Sequence, residues 1–255
     1  MSNPLFDLSG QVALVTGASR GLGQYFARAL ARSGADLVIT SRTADSLQPF
    51  ADEIAGLGRR AVPLALDVCD LKSIEQMAAA AEEAYGKIDI LVNNAGMNIR
   101  KPALDVAWDD WNKILDTNLR GSFFVAQAIA KRMVPRRYGR IINIGSVTSV
   151  AGYAGLGPYG ASRGGIRQLT MSLADDWGKN HSEKRVVLTQ RLGVIPQRPH
   201  SHKAPRPARR SRFSRGISGG RIQPLHYRSN AFGRRRNFDR RRARAAYQDL
   251  GFKPT

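Results

Sequence analysis

A parallel, doubly wound α/β sheet is the fold this sequence predicts for residues 1–180, and three observations predict it. Five short runs, VALVTG (12–17), ADLVIT (35–40), AVPLAL (61–66), IDILVN (88–93) and RIINIG (140–145), are almost wholly apolar, as strands are when both faces are covered. Segments of helical period lie between them. The connections are short, and strand–helix alternation with short connections builds parallel sheets with right-handed crossovers.

The first strand runs into TGASRGLG, where Thr16, Gly17, Gly21 and Gly23 open a helix, LGQYFARALARSG. Glycines at such a turn let the backbone approach a pyrophosphate, and the helix start offers it free N–H groups and a positive dipole. The same glycines also suit a tight strand–helix turn with no ligand. The second strand ends in ITSRT, which places Arg42 where an acid would contact an adenosine 2′-hydroxyl. An arginine there suits a 2′-phosphate instead. Arg20, inside the glycine turn, is a second phosphate partner. Together the two favour NADP(H) over NAD(H), although either alone also reads as a solvated surface cation.

The second helix is SLQPFADEIAGLG. The third strand ends in LDV, where Asp67 suits either an adenine amino group or the N-cap of the next helix, LKSIEQMAAAAEEAYG. LVNNAG (91–96) follows the fourth strand as a turn that leans on a cofactor ribose, or as a turn only. A long helix then runs from Trp108 to about Met133 with Asn118 inside it. A polar residue of poor helix propensity at that point predicts a local distortion or a hydrogen-bonding role.

Ser146 follows the fifth strand, and Tyr159 begins a sixth helix that ends near Gly178. Both belong at the C-terminal edge of the sheet, where open α/β sheets bind ligands. Arg163 stands four residues after Tyr159. On a helix that spacing puts phenol and charge one turn apart on one face.

The bulk numbers set limits. With 255 residues and 42% hydrophobic content, the chain has material for one sizeable domain. No apolar run approaches the ~18 residues of a membrane span, and MSNPLFDLSG lacks the pattern of a secretory signal. A single cysteine, Cys69, suits a reducing, cytoplasmic compartment. No Cys/His cluster has zinc-ligand spacing, so no metal site is expected. The net charge of +20 is uneven. Residues 1–180 hold 20 basic and 17 acidic residues, whereas 181–255 hold 20 basic and 3 acidic.

The motifs in their order carry a resemblance. TGASRGLG, the LDV aspartate, NNAG, the asparagine of TNL, the strand-end serine and the tyrosine of YGASR resemble the short-chain dehydrogenase/reductase family over about residues 8–180. FDLSGQVALVTGASRGLG is similar to the branch of gluconate 5-dehydrogenases and 3-oxoacyl-carrier-protein reductases. The resemblance implies a Rossmann-like fold and hydride transfer between NAD(P)(H) and a carbonyl or alcohol substrate, of sugar-acid or 3-oxoacyl type. In it Tyr159 exchanges the oxygen-bound proton, Ser146 hydrogen-bonds the substrate oxygen, and Asn118 holds a water in a proton relay. Cofactor contacts fall to Gly17, Ser19, Arg20, Gly21, Leu22 and Gly23 in the first turn. Arg42, Asp67, Val68, Asn94, Ala95 and Gly96 supply the rest. Homo-oligomers, dimers or tetramers, form through the helices containing Asn118 and Tyr159.

Two departures stand against that pattern. The family has lysine where this chain has Arg163. Arginine keeps the positive charge that favours a phenolate, but it does not relay a proton by losing one. The expected result is lowered turnover with cofactor binding largely kept. The family's later signatures, a strand ending in a Pro-Gly turn and a final strand ending in DGG, are missing after about Asn180. There the composition turns to Arg, Pro, Ser and His. The chain therefore divides into a catalytic domain, 1–180, and an Arg/Pro-rich, poorly ordered tail, 181–255, that leaves an edge on the fifth strand. Within the tail, VVLTQRLGVI (186–195) is still capable of forming a strand. One hypothesis for so abrupt a break is a change of reading frame in the coding DNA.

A second reading is a catalytically silent domain whose tail contacts nucleic acid through arginines interspersed with Phe213, Phe232, Phe238 and Tyr247. No recognised nucleic-acid motif occurs there, and a solvated basic tail explains the same composition.

Overall fold

The computed structural model of the protein describes residues 7–178 and the backbone of 186–193. Its strands are β1 (Val12–Val15), β2 (Asp36–Ser41), β3 (Ala61–Ala65), β4 (Ile90–Asn93), β5 (Gly139–Ser146) and β6 (Val186–Gly193). Its main helices are α1 (Leu22–Arg32), α2 (Gln48–Gly56), α3 (Leu71–Tyr85), α4 (Trp108–Leu115), α5 (Ser122–Met133) and α6 (Gly157–Gly178). All strand pairs are parallel, in the order β3-β2-β1-β4-β5-β6. The doubly wound sheet is the one the apolar runs predict.

The strand period explains the layering. Successive side chains of a strand point to opposite faces. Val12 and Leu14 accordingly enter one core with Ile74 and Met77 of α3 and Ile129 and Met133 of α5. Ala13 and Val15 enter the other, with Ala27 of α1 and Phe50 and Ile54 of α2. A buried polar ladder runs through the first core. The Asn93 amide donates to the Ser122 carbonyl (2.7 Å) and to Asn143 Oδ1 (3.2 Å), and Asn143 donates to Thr170 Oγ1 on α6 (3.0 Å). It ties α5 and α6 to the middle of the sheet.

The strand order places a crevice. Chain connections leave β1 toward β2 on one side and reach β4 on the other, so a gap opens above their C-terminal ends. At the opposite edge, buried Asp89 accepts from the Val12 amide (3.0 Å) and faces Lys87 (3.0 Å) and Arg136 (3.1 Å). The distortion predicted at Asn118 is a π-helical turn, Asp116–Gly121, which joins α4 to α5.

One expectation is corrected. The fifth strand has no open edge where the sequence left one, because β6 pairs with it from Gly139↔Val186 to Ser146↔Gly193. The consecutive Val186, Val187 and Leu188 supply enough apolar character for a strand despite the charged surroundings. The remaining expectations for the tail, poor order and nucleic-acid contacts, concern residues 179–185 and 194–255, outside the described residues.

Candidate active site

A cavity of about 1060 Å³ lies above the C-terminal ends of the strands. Gly17, Ser19, Arg20, Gly21 and Leu22 form one wall of it. Gly17 (φ +66°) and Gly21 (φ +61°) occupy the left-handed region, which glycine alone enters at no steric cost. A Cβ on Gly17 would stand 3.0 Å from the Ala95 Cα, so the glycine turn and the NNAG turn pack backbone to backbone. The first turn of α1 has no side-chain cap, so its N–H groups are left for a ligand. Gly23 does not line the cavity. A Cβ there would run into the Gly17 carbonyl, so this glycine serves packing of helix on strand.

Asn94 is committed to the same turn. Its amide donates to the carbonyls of Thr16 (2.9 Å) and Gly17 (3.2 Å). Thr16 Oγ1 in return accepts from the amides of Asn94 (3.0 Å) and Ala95 (2.9 Å). Asn94, Ala95 and Gly96 line the cavity, and the Asn94 Nδ2 and backbone N–H are both spent on the Thr16–Gly17 turn. Thr16, named in the sequence only as the first residue of the glycine turn, is the clamp between the two turns.

Arg42 follows β2, and Asp67 and Val68 follow β3; all three line the cavity. Arg20 and Arg42 are exposed, and neither makes an ion pair among the described residues. Asp67 accepts from the Cys69 amide (2.9 Å), and the side chain that caps α3 is Asp70, so Asp67 is free of the capping role. Thr40, Cys69, Met97, Lys113 and Thr117 also line the cavity, unnoticed in the sequence. Thr40 is fully buried, and its Oγ1 lacks a partner among the described residues.

Tyr159 (9% exposed) and Arg163 (6%) stand on one face of α6 and both line the cavity. The guanidinium lies over the phenol ring, 5.1 Å from its centroid. Its Nη1 donates to the Ile144 carbonyl (2.8 Å), and its Nη2 rests against Gly96, where a Cβ would collide with it. Its Nε is buried without a partner among the described residues. The i, i+4 spacing thus produces the pairing it predicts, with the charge over the ring face.

Ser146 and Asn118 lie behind the cavity wall and do not line it. Ser146, at the end of β5, accepts from the Thr148 amide (3.2 Å). Ser149, just beyond, donates to the Arg163 carbonyl (2.9 Å) and ties that strand end to α6. Asn118 is fully buried: Oδ1 accepts from the Met97 amide (2.7 Å), and Nδ2 donates to the Met97 carbonyl (2.8 Å) and to Ser162 Oγ (3.1 Å).

The residues present fit a dinucleotide. The uncapped glycine turn can seat a pyrophosphate, the exposed arginines can pair an adenosine phosphate, and the same cavity holds a phenol beside a cation. That fold and that cavity are the ones expected of a dinucleotide-binding α/β protein. Residues 11–188 match the family model described as short chain dehydrogenase. The chain is 44% identical over 181 residues to the gluconate 5-dehydrogenase of Gluconobacter oxydans (strain 621H), covering 71% of each. It is 38% identical over 168 residues to the 3-oxoacyl-acyl-carrier-protein reductase FabG of Vibrio cholerae, covering 66% of this chain and 68% of that protein. Among solved structures it resembles a gluconate 5-dehydrogenase from Burkholderia cenocepacia J2315 in complex with NADP and tartrate. The TM-score is 0.67 and the identity 38%, covering 72% of this chain and 69% of that one. This protein belongs to the short chain dehydrogenase family of oxidoreductases.

Proposed function

We propose that this chain is an NADP(H)-dependent oxidoreductase of the cytoplasm, acting on a carbonyl or alcohol substrate of sugar-acid or 3-oxoacyl type. One observation carries the reading: Arg20 and Arg42, which make no ion pair among the described residues, line the same cavity as Tyr159 and Arg163. The relative crystallised with NADP supports the choice of cofactor.

Bound nicotinamide supplies or accepts the hydride. Gly17, Gly21 and the start of α1 would seat the phosphates, Arg20 and Arg42 would pair the 2′-phosphate, and Asp67 would take the adenine amino group. Tyr159 gives or takes the proton on the substrate oxygen; Ser146, buried at the end of β5 and not among the cavity-lining residues, would have to turn its hydroxyl toward the cavity to hydrogen-bond that oxygen. Asn118 has all of its amide groups engaged, so a relay water at this residue bonds its backbone. Arg163 holds a fixed positive charge beside the phenol but does not pass a proton on. Turnover is therefore slow while cofactor binding persists. The protein assembles as a homo-oligomer through α4, α5 and α6, where Trp108, Trp111 and Met171 are exposed.

The test is NADPH oxidation with a panel of oxidised sugar acids and 3-oxoacyl thioesters. Slow oxidation of at least one of them is expected. Tyr159→Phe reduces it by about 10²–10⁴-fold, the usual contribution of a positioned acid or base. Silence across the panel, or full activity in Tyr159→Phe, contradicts the proposal.

A further inference from the structure

Ser162 belongs to no part of the mechanism above, yet it is fully buried in the helix turn between Tyr159 and Arg163. A hydroxyl in a helix interior competes with the backbone and gains nothing over alanine in propensity. Burying one is costly unless it is hydrogen-bonded. Here both of its capacities are used. Ser162 Oγ donates to the Tyr159 carbonyl (2.7 Å) and accepts from Asn118 Nδ2 (3.1 Å).

The direction of these bonds is forced. Asn118 Oδ1 must accept from the Met97 amide, so Nδ2 faces the Met97 carbonyl and Ser162. With its oxygen accepting from Asn118, the serine sends its only proton to Tyr159. The π-helical turn brings Asn118 to this position, and Ser122 Oγ secures that turn by donating to the Asn118 carbonyl (2.9 Å). An oriented chain therefore runs from Met97, on the cavity wall, through Asn118 and Ser162, to the backbone of Tyr159.

We propose that Ser162 is a positioning residue: with Asn118 it forms a buried strut that fixes the first turn of α6, and with it the Tyr159 phenol, relative to the Met97 wall of the cavity. The proposal rests on the reading of Tyr159 as the group that moves the proton. It does not require Ser162 to touch substrate or cofactor.

The experiment compares wild type, Ser162→Ala and Ser162→Thr, which keeps the hydroxyl, by NADPH fluorescence titration, steady-state kinetics and amide hydrogen exchange. In Ser162→Ala, NADPH affinity stays within about twofold and KM changes little. Its kcat falls by about tenfold to a hundredfold, as misplacement of a reacting group does. Exchange accelerates at the Met97 amide and in the first turn of α6, and Ser162→Thr recovers much of both effects. An unchanged kcat, a matching loss of NADPH affinity, or unaltered exchange in Ser162→Ala overturns the strut. If wild type binds NADPH but turns over nothing, the function proposed for Tyr159 fails, and the exchange data alone decide whether the strut exists.

Discussion

Arg163 is the residue on which the proposed activity turns. Its guanidinium is held by the Ile144 carbonyl, covers the Tyr159 ring and lies against Gly96. A lysine has the same charge on a thinner stem and can lose its proton when buried. Arg163→Lys is therefore expected to raise kcat by about tenfold or more in NADPH-linked turnover while NADPH affinity stays similar. An unchanged rate would mean that Arg163 does not limit the chemistry. The position and spacing of Tyr159 and Arg163 were legible in the sequence because helix geometry is local. What the guanidinium touches was not legible. Ile144 and Gly96 come from two other strand ends, and only the parallel sheet brings them there. The same holds for Asn118: its residue type foretold a distortion, but its partners Met97 and Ser162 are set by packing.

At the scale of elements, the glycine turn and the helix behind it set the shape of the cavity. Gly23→Ala forces a methyl group against the Gly17 carbonyl and to 2.9 Å from the Ala18 Cα. Overpacking of this kind costs about 1–3 kcal/mol, to be read as a lower midpoint in urea, with NADPH binding weakened alongside. Motif spacing identified the turn but merged two jobs, since Gly17 and Gly21 face the cavity and Gly23 faces the protein. At the far end of α3, burial pushes the Tyr85 phenol up from 10.0 to about 12, and its hydroxyl lies 3.1 Å from the carbonyls of Leu37 and Arg60. Between those pH values the unfolded chain has lost this proton and the folded protein keeps it. Stability therefore declines as pH rises through that window. Urea unfolding from pH 9 to 12 is expected to show a steeper decline in wild type than in Tyr85→Phe; equal slopes would contradict the assignment.

For the whole molecule, the charge divides where the family signatures stop. Residues 1–180 are nearly balanced, with 20 basic and 17 acidic side chains, while 181–255 carry 20 against 3. The five-strand pattern was plain because buried parallel strands are continuous apolar runs. The strand β6 was harder to see because it lies among charges, and its neighbour β5 supplies the pairing that local composition does not. If a frame change produced the break, another frame of the coding DNA beyond codon 180 encodes the missing Pro-Gly and DGG signatures; translating it checks this, and unrelated sequence in both other frames ends the idea. The central claim concerns the first 180 residues, which are proposed to form a dinucleotide pocket that prefers a 2′-phosphate. Its most direct test is fluorescence titration of the intact chain and of Arg42→Ala with NADPH and NADH. Saturable NADPH binding that weakens by about tenfold or more in Arg42→Ala, as loss of a charge-assisted hydrogen bond predicts, with NADH little affected, is the result expected. Absence of saturable binding of either dinucleotide to the folded protein would contradict it.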